Sequence, residues 1–208
     1  MGGPRIVVFD YGSGNVHSAT RAFAAAGADV VLTSDNKQAF EADGLVVPGV
    51  GAFAACMAQL VACGGDDVIR RRVAASRPVF GICVGHQALF AAGDEHGVET
   101  AGVGIYPGTI TRLPVARVPH MGWNQVVPDP DSRLFNHAQW FYFVHSYAAL
   151  ATADVPAGAR AVWAEHDGVR LVAAVEFGPH LSTQFHPEKS AAAGQALIRA
   201  WLSRLGES

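Results

Sequence analysis

Cysteine is scarce in this 208-residue chain, and its count is odd: Cys56, Cys63 and Cys83. Three thiols do not make a disulfide framework, and without an export signal the expected compartment is the reducing cytoplasm. Positive charge is short as well, since 15 Lys and Arg against 18 Asp and Glu leave a formal charge of −3. The broad basic field that holds nucleic acid or an anionic membrane is therefore missing. No apolar stretch is long enough to span a bilayer, and residues 1–10 lack the basic region, long apolar core and cleavage site of a signal peptide. Ile6 stands where myristoylation would ask for Ser or Thr. Small molecules and protein partners remain as expected ligands, with no nucleic acid and no membrane. What is present suits a globular fold: half the residues are apolar, and 208 residues fit one α/β domain over 1–208.

Short β-branched runs alternate with helical patterns in the first half. Strands are expected at 5–10, 29–33, 44–48 and 78–82, with helices at 16–26, at 54–75 broken by Gly64-Gly65, and at 85–92. That order predicts a mostly parallel sheet flanked by helices. After Val103 the texture changes to strand-like segments at 108–113, 125–127, 140–144, 161–166, 169–175 and 181–185. They suggest an antiparallel extension of the sheet, closed by a helix over 191–205, with 151–159 as a loop.

The segment Phe80-Gly81-Ile82-Cys83-Val84-Gly85-His86-Gln87 joins a buried strand to a helix through a Gly-flanked cysteine. Gly81-x-Cys83-x-Gly85 has the form of a nucleophile elbow, where a tight, strained turn lifts the side chain above the sheet. Glycine is needed on both sides because neighbouring backbone passes close to so sharp a turn. An arbitrary cysteine is usually a small buried hydrophobe, the reading kept for Cys56 and Cys63; the glycines reverse it for Cys83. A helix N-terminus and an imidazole beside the thiol would favour the reactive anion.

Far along the chain, Phe185-His186-Pro187-Glu188 ends a strand-like run. In extended backbone His186 and Glu188 share a face, so the carboxylate can orient the imidazole while its other nitrogen serves the thiol. Cys83, His86, His186 and Glu188 could alternatively hold zinc. The absence of a P-C-x-x-C partner segment and of an H-E-x-x-H helix argues against a metal. Gly12-Ser13-Gly14 resembles the opening of a dinucleotide loop, but His17 replaces its third glycine, so no cofactor is expected.

Taken together, Gly81 to Gln87 and Phe185 to Glu188 resemble the two signature segments of class I glutamine amidotransferases, whose fold is flavodoxin-like. Four further segments, 10–15, 48–53, 119–124 and 143–147, are similar to those of the glutaminase subunits of imidazole glycerol phosphate synthases, which serve histidine biosynthesis. One departure is His86, where the family usually carries Met. The resemblance implies a glutaminase triad of Cys83, His186 and Glu188, with an oxyanion hole from Val50, Gly51 and Val84. For glutamine itself it implies Gly49, Gln87, Glu95 and the backbone of His145, Ser146 and Tyr147. It further implies a 1:1 heterodimer with a cyclase subunit built as a (β/α)8 barrel, faced by Asn15, Met121, Trp123, Asn124, Tyr142 and Lys189.

Overall fold

The computed structural model describes residues 2–152 and 155–205. Of the loop expected over 151–159, residues 153 and 154 lie outside the described residues. Strands β1 (Arg5–Phe9), β2 (Asp29–Thr33), β3 (Gly44–Gly49) and β4 (Val79–Cys83) pair in parallel, in the order β2-β1-β3-β4. Residues 6–9 are all fully buried, which a continuous apolar run requires when both faces of a sheet are covered. Successive side chains take opposite faces. Accordingly Ile6 lies towards Trp201 of helix α6 (Ala191–Leu202), while Phe9 lies against Gly65 of α4 (Gly65–Ala74). Around Trp201, the rings of Phe80 and of Phe23 from α1 (Val16–Ala25) meet edge to face at centroid distances of 5.3 to 5.9 Å.

Strand β4 passes the sheet on to β13 (His180–Thr183), also parallel, and from there every pairing is antiparallel: β12 (Val169–Phe177), β11 (Arg160–His166), β8 (His120–Pro128) and β9 (Gln139–His145). The expected extension is thus present, with one exception. The segment expected at 108–113 does not join it; β7 (Tyr106–Arg112) belongs to a second sheet of four strands with β5 (Phe90–Glu95), β6 (Val98–Ala101) and β10 (Tyr147–Ala148).

The second sheet also overturns the helix expected over 85–92. Helix α5 is one turn only, Val84–Gln87, and the chain then extends as β5. Ala91, Ala92 and Gly93 suit helix by local propensity, but β5 gains ladders on both sides, from β6 and from β7. The absence of a side chain at Gly93 lets the strand lie on Phe53 of α3 (Phe53–Ala62): a Cβ there would come 2.6 Å from its ring. Packing overrides propensity at such a position. A short helix α2 (Asn36–Glu41), capped by Asp35 accepting from the Gln38 N–H at 2.8 Å, was not expected.

Candidate active site

The C-terminal ends of β3, β4 and β13 lie side by side, with Gly49 opposite Cys83 and Thr183 opposite Ile82. Ligands of open parallel sheets gather at this edge. Cys83 ends β4 with φ 57° and ψ −111°, a strained conformation for a residue with a side chain. Its neighbours explain how the turn closes. A Cβ on Gly81 would stand 2.7 Å from the Gly85 carbonyl oxygen, one on Gly49 2.6 Å from the Gly85 nitrogen, and one on Gly85 would collide with the Val47 carbonyl. Glycine is therefore required where β3 and the turn touch backbone to backbone.

Three residues after β13, His186 reaches the same pocket. Its Nδ1 lies 2.7 Å from Glu188 Oε1, and both side chains are sealed from solvent. The two residues do not share a face of extended backbone as expected: Pro187–Lys189 forms a turn of 3₁₀ helix, and from it the carboxylate meets the ring edge at Nδ1. Glu188 accepts at Nδ1, so the imidazole keeps Nε2 for other chemistry, and that nitrogen is buried without a hydrogen-bond partner among the described residues. Burial alone would pull the histidine pKa down, but the Cys83 sulfur and the Glu188 carboxylate outweigh it and hold it up to about 10.

A cavity of about 220 Å³ joins these groups. Cys83, His186, Val50, Gly51, Val84, Gln87, Glu95, His145, Ser146 and Tyr147 all line it. Glu188 stands behind His186, and Gly49 is buried beneath the turn. Val84 opens a helix, so its N–H has no partner within that helix. The Val50 N–H donates to Ser13 Oγ at 3.3 Å, and the Ser13 hydroxyl donates to the Val50 carbonyl at 3.0 Å. Glu95, the last residue of β5, accepts the N–H of Phe53, the first residue of α3, at 2.9 Å.

Of the residues expected to face a partner, Met121 and Trp123 are 61% and 51% exposed on β8. Tyr142 is the cross-strand partner of Trp123, and Lys189 lines the pocket. Asn15 stands at the N-cap position of α1 without a side-chain capping bond. Asn124 is half-buried and spends its amide inward, on His120 and on the Glu165 carbonyl. Trp140, 55% exposed and opposite Gln125, extends the same apolar face and was missed.

Sequence reasoning also missed Val144, whose carbonyl is 4.0 Å from Cys83 Sγ, and Gln184, whose Nε2 is 3.8 Å from it. Gln184 stood two residues before His186, and that nearness was its only signal. His86 does not join Cys83: its Nδ1 meets Ser182 Oγ at 2.8 Å. Among the described residues no group of three His, Cys, Asp or Glu is arranged to hold a metal ion.

A strained thiol, an imidazole oriented by a carboxylate and backbone donors at the edge of a doubly wound sheet define a thiol amidohydrolase site. The chain belongs to the class-I glutamine amidotransferase family, whose sequence pattern matches residues 7–204. More narrowly, it is 57% identical over 207 residues to the imidazole glycerol phosphate synthase subunit HisH of Leifsonia xyli, covering 96% of this chain and 98% of the relative. It is 55% identical over 203 residues to the same subunit of Mycolicibacterium paratuberculosis, with the same two coverages. Among solved structures it shares its fold with a glutamine amidotransferase at TM-score 0.75 and 19% identity, covering 97% of this chain and 98% of that one. PurLQS from Thermotoga maritima shares it at TM-score 0.71 and 16% identity, covering 98% and 99%.

Proposed function

We propose that residues 1–208 form one glutamine amidotransferase domain that hydrolyses glutamine as the glutaminase subunit of an imidazole glycerol phosphate synthase. The observation that carries this reading is the meeting, in one cavity, of Cys83 with the His186–Glu188 pair. The Cys83 thiolate attacks the side-chain amide carbon of glutamine, forming the C–S bond. His186 gives its proton to the departing nitrogen as the C–N bond breaks, releasing ammonia and leaving a glutamyl thioester. Water then attacks the thioester, His186 takes its proton, and glutamate leaves with the sulfur restored.

Charge on the carbonyl oxygen is met by backbone N–H groups, which we assign to Gly51 and Val84. The Val50 N–H would have to leave Ser13 to join them. In the pocket Glu95 matches the ammonium of glutamine, the backbone of His145 to Tyr147 its carboxylate, and Gln87 offers its side-chain oxygen. Ammonia in water at neutral pH is mostly ammonium and not nucleophilic, so its use elsewhere asks for a sheltered path to a second site. We assign that site to a cytoplasmic cyclase subunit with a (β/α)8 barrel, bound 1:1 against the face carrying Met121 and Trp123.

Glutamate release is measured with the chain alone, then with the cyclase and its ribotide substrate. The cyclase is expected to raise turnover, and Cys83→Ala to lower it by more than about a thousandfold with folding intact, the scale on which a covalent nucleophile matters. Turnover retained by Cys83→Ala removes the mechanism. Stimulation by a different synthase, and not by the cyclase, removes the pathway.

A further inference from the structure

The carbonyl oxygen of Tyr147, at the pocket, accepts two side-chain donors: Gln87 Nε2 at 2.8 Å and His145 Nδ1 at 3.0 Å. A carbonyl can only accept, so both groups have their orientation fixed. Gln87 presents its NH₂, and His145 carries its proton on Nδ1.

Each then dictates the next group. Inward, Gln87 Nε2 donates its second hydrogen to Gln184 Oε1 at 2.9 Å, which turns the Gln184 amide so that Nε2 faces Cys83 Sγ at 3.8 Å. Outward, neutral His145 offers Nε2 as an acceptor to His120 Nδ1 at 2.9 Å. His120 Nε2 in turn accepts from Asn124 Nδ2 at 3.0 Å, whose other hydrogen goes to the Glu165 carbonyl at 2.7 Å. Asn124 is pinned a second time, because its Oδ1 accepts the Gln125 N–H at 2.7 Å.

No member can turn over without breaking two bonds. Burial holds both rings neutral, pulling His145 to about 3 and His120 to about 4, so the donor and acceptor roles persist at neutral pH. Gln184 is fully buried, and His120 and His145 nearly so. The line begins on β8 at Asn124, next to exposed Trp123, and ends at the sulfur.

We propose that this line is a positioning relay for the glutaminase site, in which Gln184 sets the donor facing the Cys83 sulfur and His120 with Asn124 holds the 145–147 backbone in place for glutamine. The proposal rests on the reading of Cys83 as nucleophile. Gln184 contacts the reacting atom; His120 and Asn124 act through His145. An ordinary buried polar cluster would show the same bonds, so the test must separate placement from stability.

Two measurements on the full chain do so: alkylation of Cys83 by iodoacetamide across pH, followed by peptide mass mapping, and KM and kcat for glutamate release in the complex with the cyclase and its ribotide. Gln184→Glu keeps the acceptor for Gln87 and loses the donor towards sulfur, so alkylation at neutral pH is expected to slow about tenfold, the scale of one charge-assisted hydrogen bond. His120→Phe keeps the stacked ring and loses both bonds, and is expected to raise KM about tenfold while kcat stays within about twofold. His120→Asn, which can still donate to His145, is expected to recover most of that loss. Should His120→Phe fail to fold, Asn124→Leu carries the outer test with KM raised about threefold.

Parental alkylation in Gln184→Glu overturns the inner arm. Parental KM in His120→Phe, or equal loss in His120→Phe and His120→Asn, overturns the outer one. Cys83→Ala in the same assays separates the two levels: if it is inactive and these variants are parental, the relay alone is wrong. If Cys83→Ala still turns over, the nucleophile itself is misassigned.

Discussion

At the nucleophile turn, position is set by hard contact: Gly49, Gly81 and Gly85 let three stretches of backbone approach to distances that no Cβ would tolerate. At the histidine turn one such contact recurs, since a Cβ on Gly194 would collide with the Pro187 carbonyl, but the segment around His186 itself is held by hydrogen bonds. The His186 N–H donates to the Tyr142 carbonyl at 2.9 Å, and Ser190 Oγ donates to the His186 carbonyl at 2.6 Å while accepting the Tyr142 N–H at 3.0 Å. At the first turn the reacting residue itself is strained, with Cys83 at positive φ; at the second the positive φ falls on Ala191, past the functional pair, and the turn carries the charge, with His186 against Glu188. Steric placement leaves no soft direction, whereas a hydrogen-bonded turn can yield by tenths of an ångström. The nucleophile is then expected to be the more fixed of the pair, and the base the part more readily tuned.

The sharpest way to break that contrast is to add a methyl group. In Gly85→Ala the new Cβ collides with the Val47 carbonyl, backbone against backbone, and a loss of about 3 kcal/mol or more is expected, seen as a large fall in the urea midpoint together with lost glutamate release. Gly97→Ala is the control: nothing lies within 4 Å of its Cβ, and only its φ of 77° is unfavourable. About 1 kcal/mol is expected there, with activity kept. Equal losses at the two positions would mean that the contact at Gly85 costs no more than a left-handed φ at Gly97, and that hard contact does not set the turn.

The hydrogen-bonded turn should respond differently. Ser190→Ala removes a donor to the His186 carbonyl and an acceptor for the Tyr142 N–H in a fully buried place, which costs about 1–3 kcal/mol. Because the displaced group is the base, kcat is expected to fall about tenfold while KM changes little. Ser190→Thr, which keeps the hydroxyl, should lie nearer the parent. A Ser190→Ala variant that is destabilised but has the parental kcat would show the histidine turn to be held by something else.

The same contrast explains what could be read in advance. Steric placement writes itself into composition, as Gly81-x-Cys83-x-Gly85 does, and the strands β1 to β4 were legible because apolar runs punctuated by glycine have few other uses. Hydrogen-bonded placement leaves little trace: Ser190 and Gln184 are ordinary polar residues whose partners come from distant strands. Strand β5 hid for a related reason. Its alanines are good helix formers, and only the ladders with β6 and β7, formed by residues downstream, make it a strand. The exposed stripe of Met121, Trp123 and Trp140 was partly visible; Trp140 reads from the sequence only as part of a strand, and its place beside that face comes from the pairing of β9 with β8.

The smallest expected effect concerns His86, which sits on the steric turn and yet is held by hydrogen bonding. Its Nδ1 faces Ser182 Oγ, whose own hydrogen goes to Tyr106 Oη at 3.3 Å, so Nδ1 is the donor and Nε2 is an acceptor buried without a partner. Burial drops its pKa to about 3, and His145 is likewise near 3. Between these values and the unfolded value of about 6.5 the unfolded chain binds the extra protons, so stability is complete above pH 6.5 and declines as pH falls through this window. From pH 7 to 5.5 each such histidine is expected to cost about 1 kcal/mol. His86→Met removes one of these contributions and the orphaned acceptor together. Its urea midpoint should match or slightly exceed the parent at pH 7, and the gap should widen by about 1 kcal/mol at pH 5.5. A gap that stays constant with pH would mean that His86 takes up its proton inside the folded protein, and that the turn around Cys83 is softer than its glycine contacts imply.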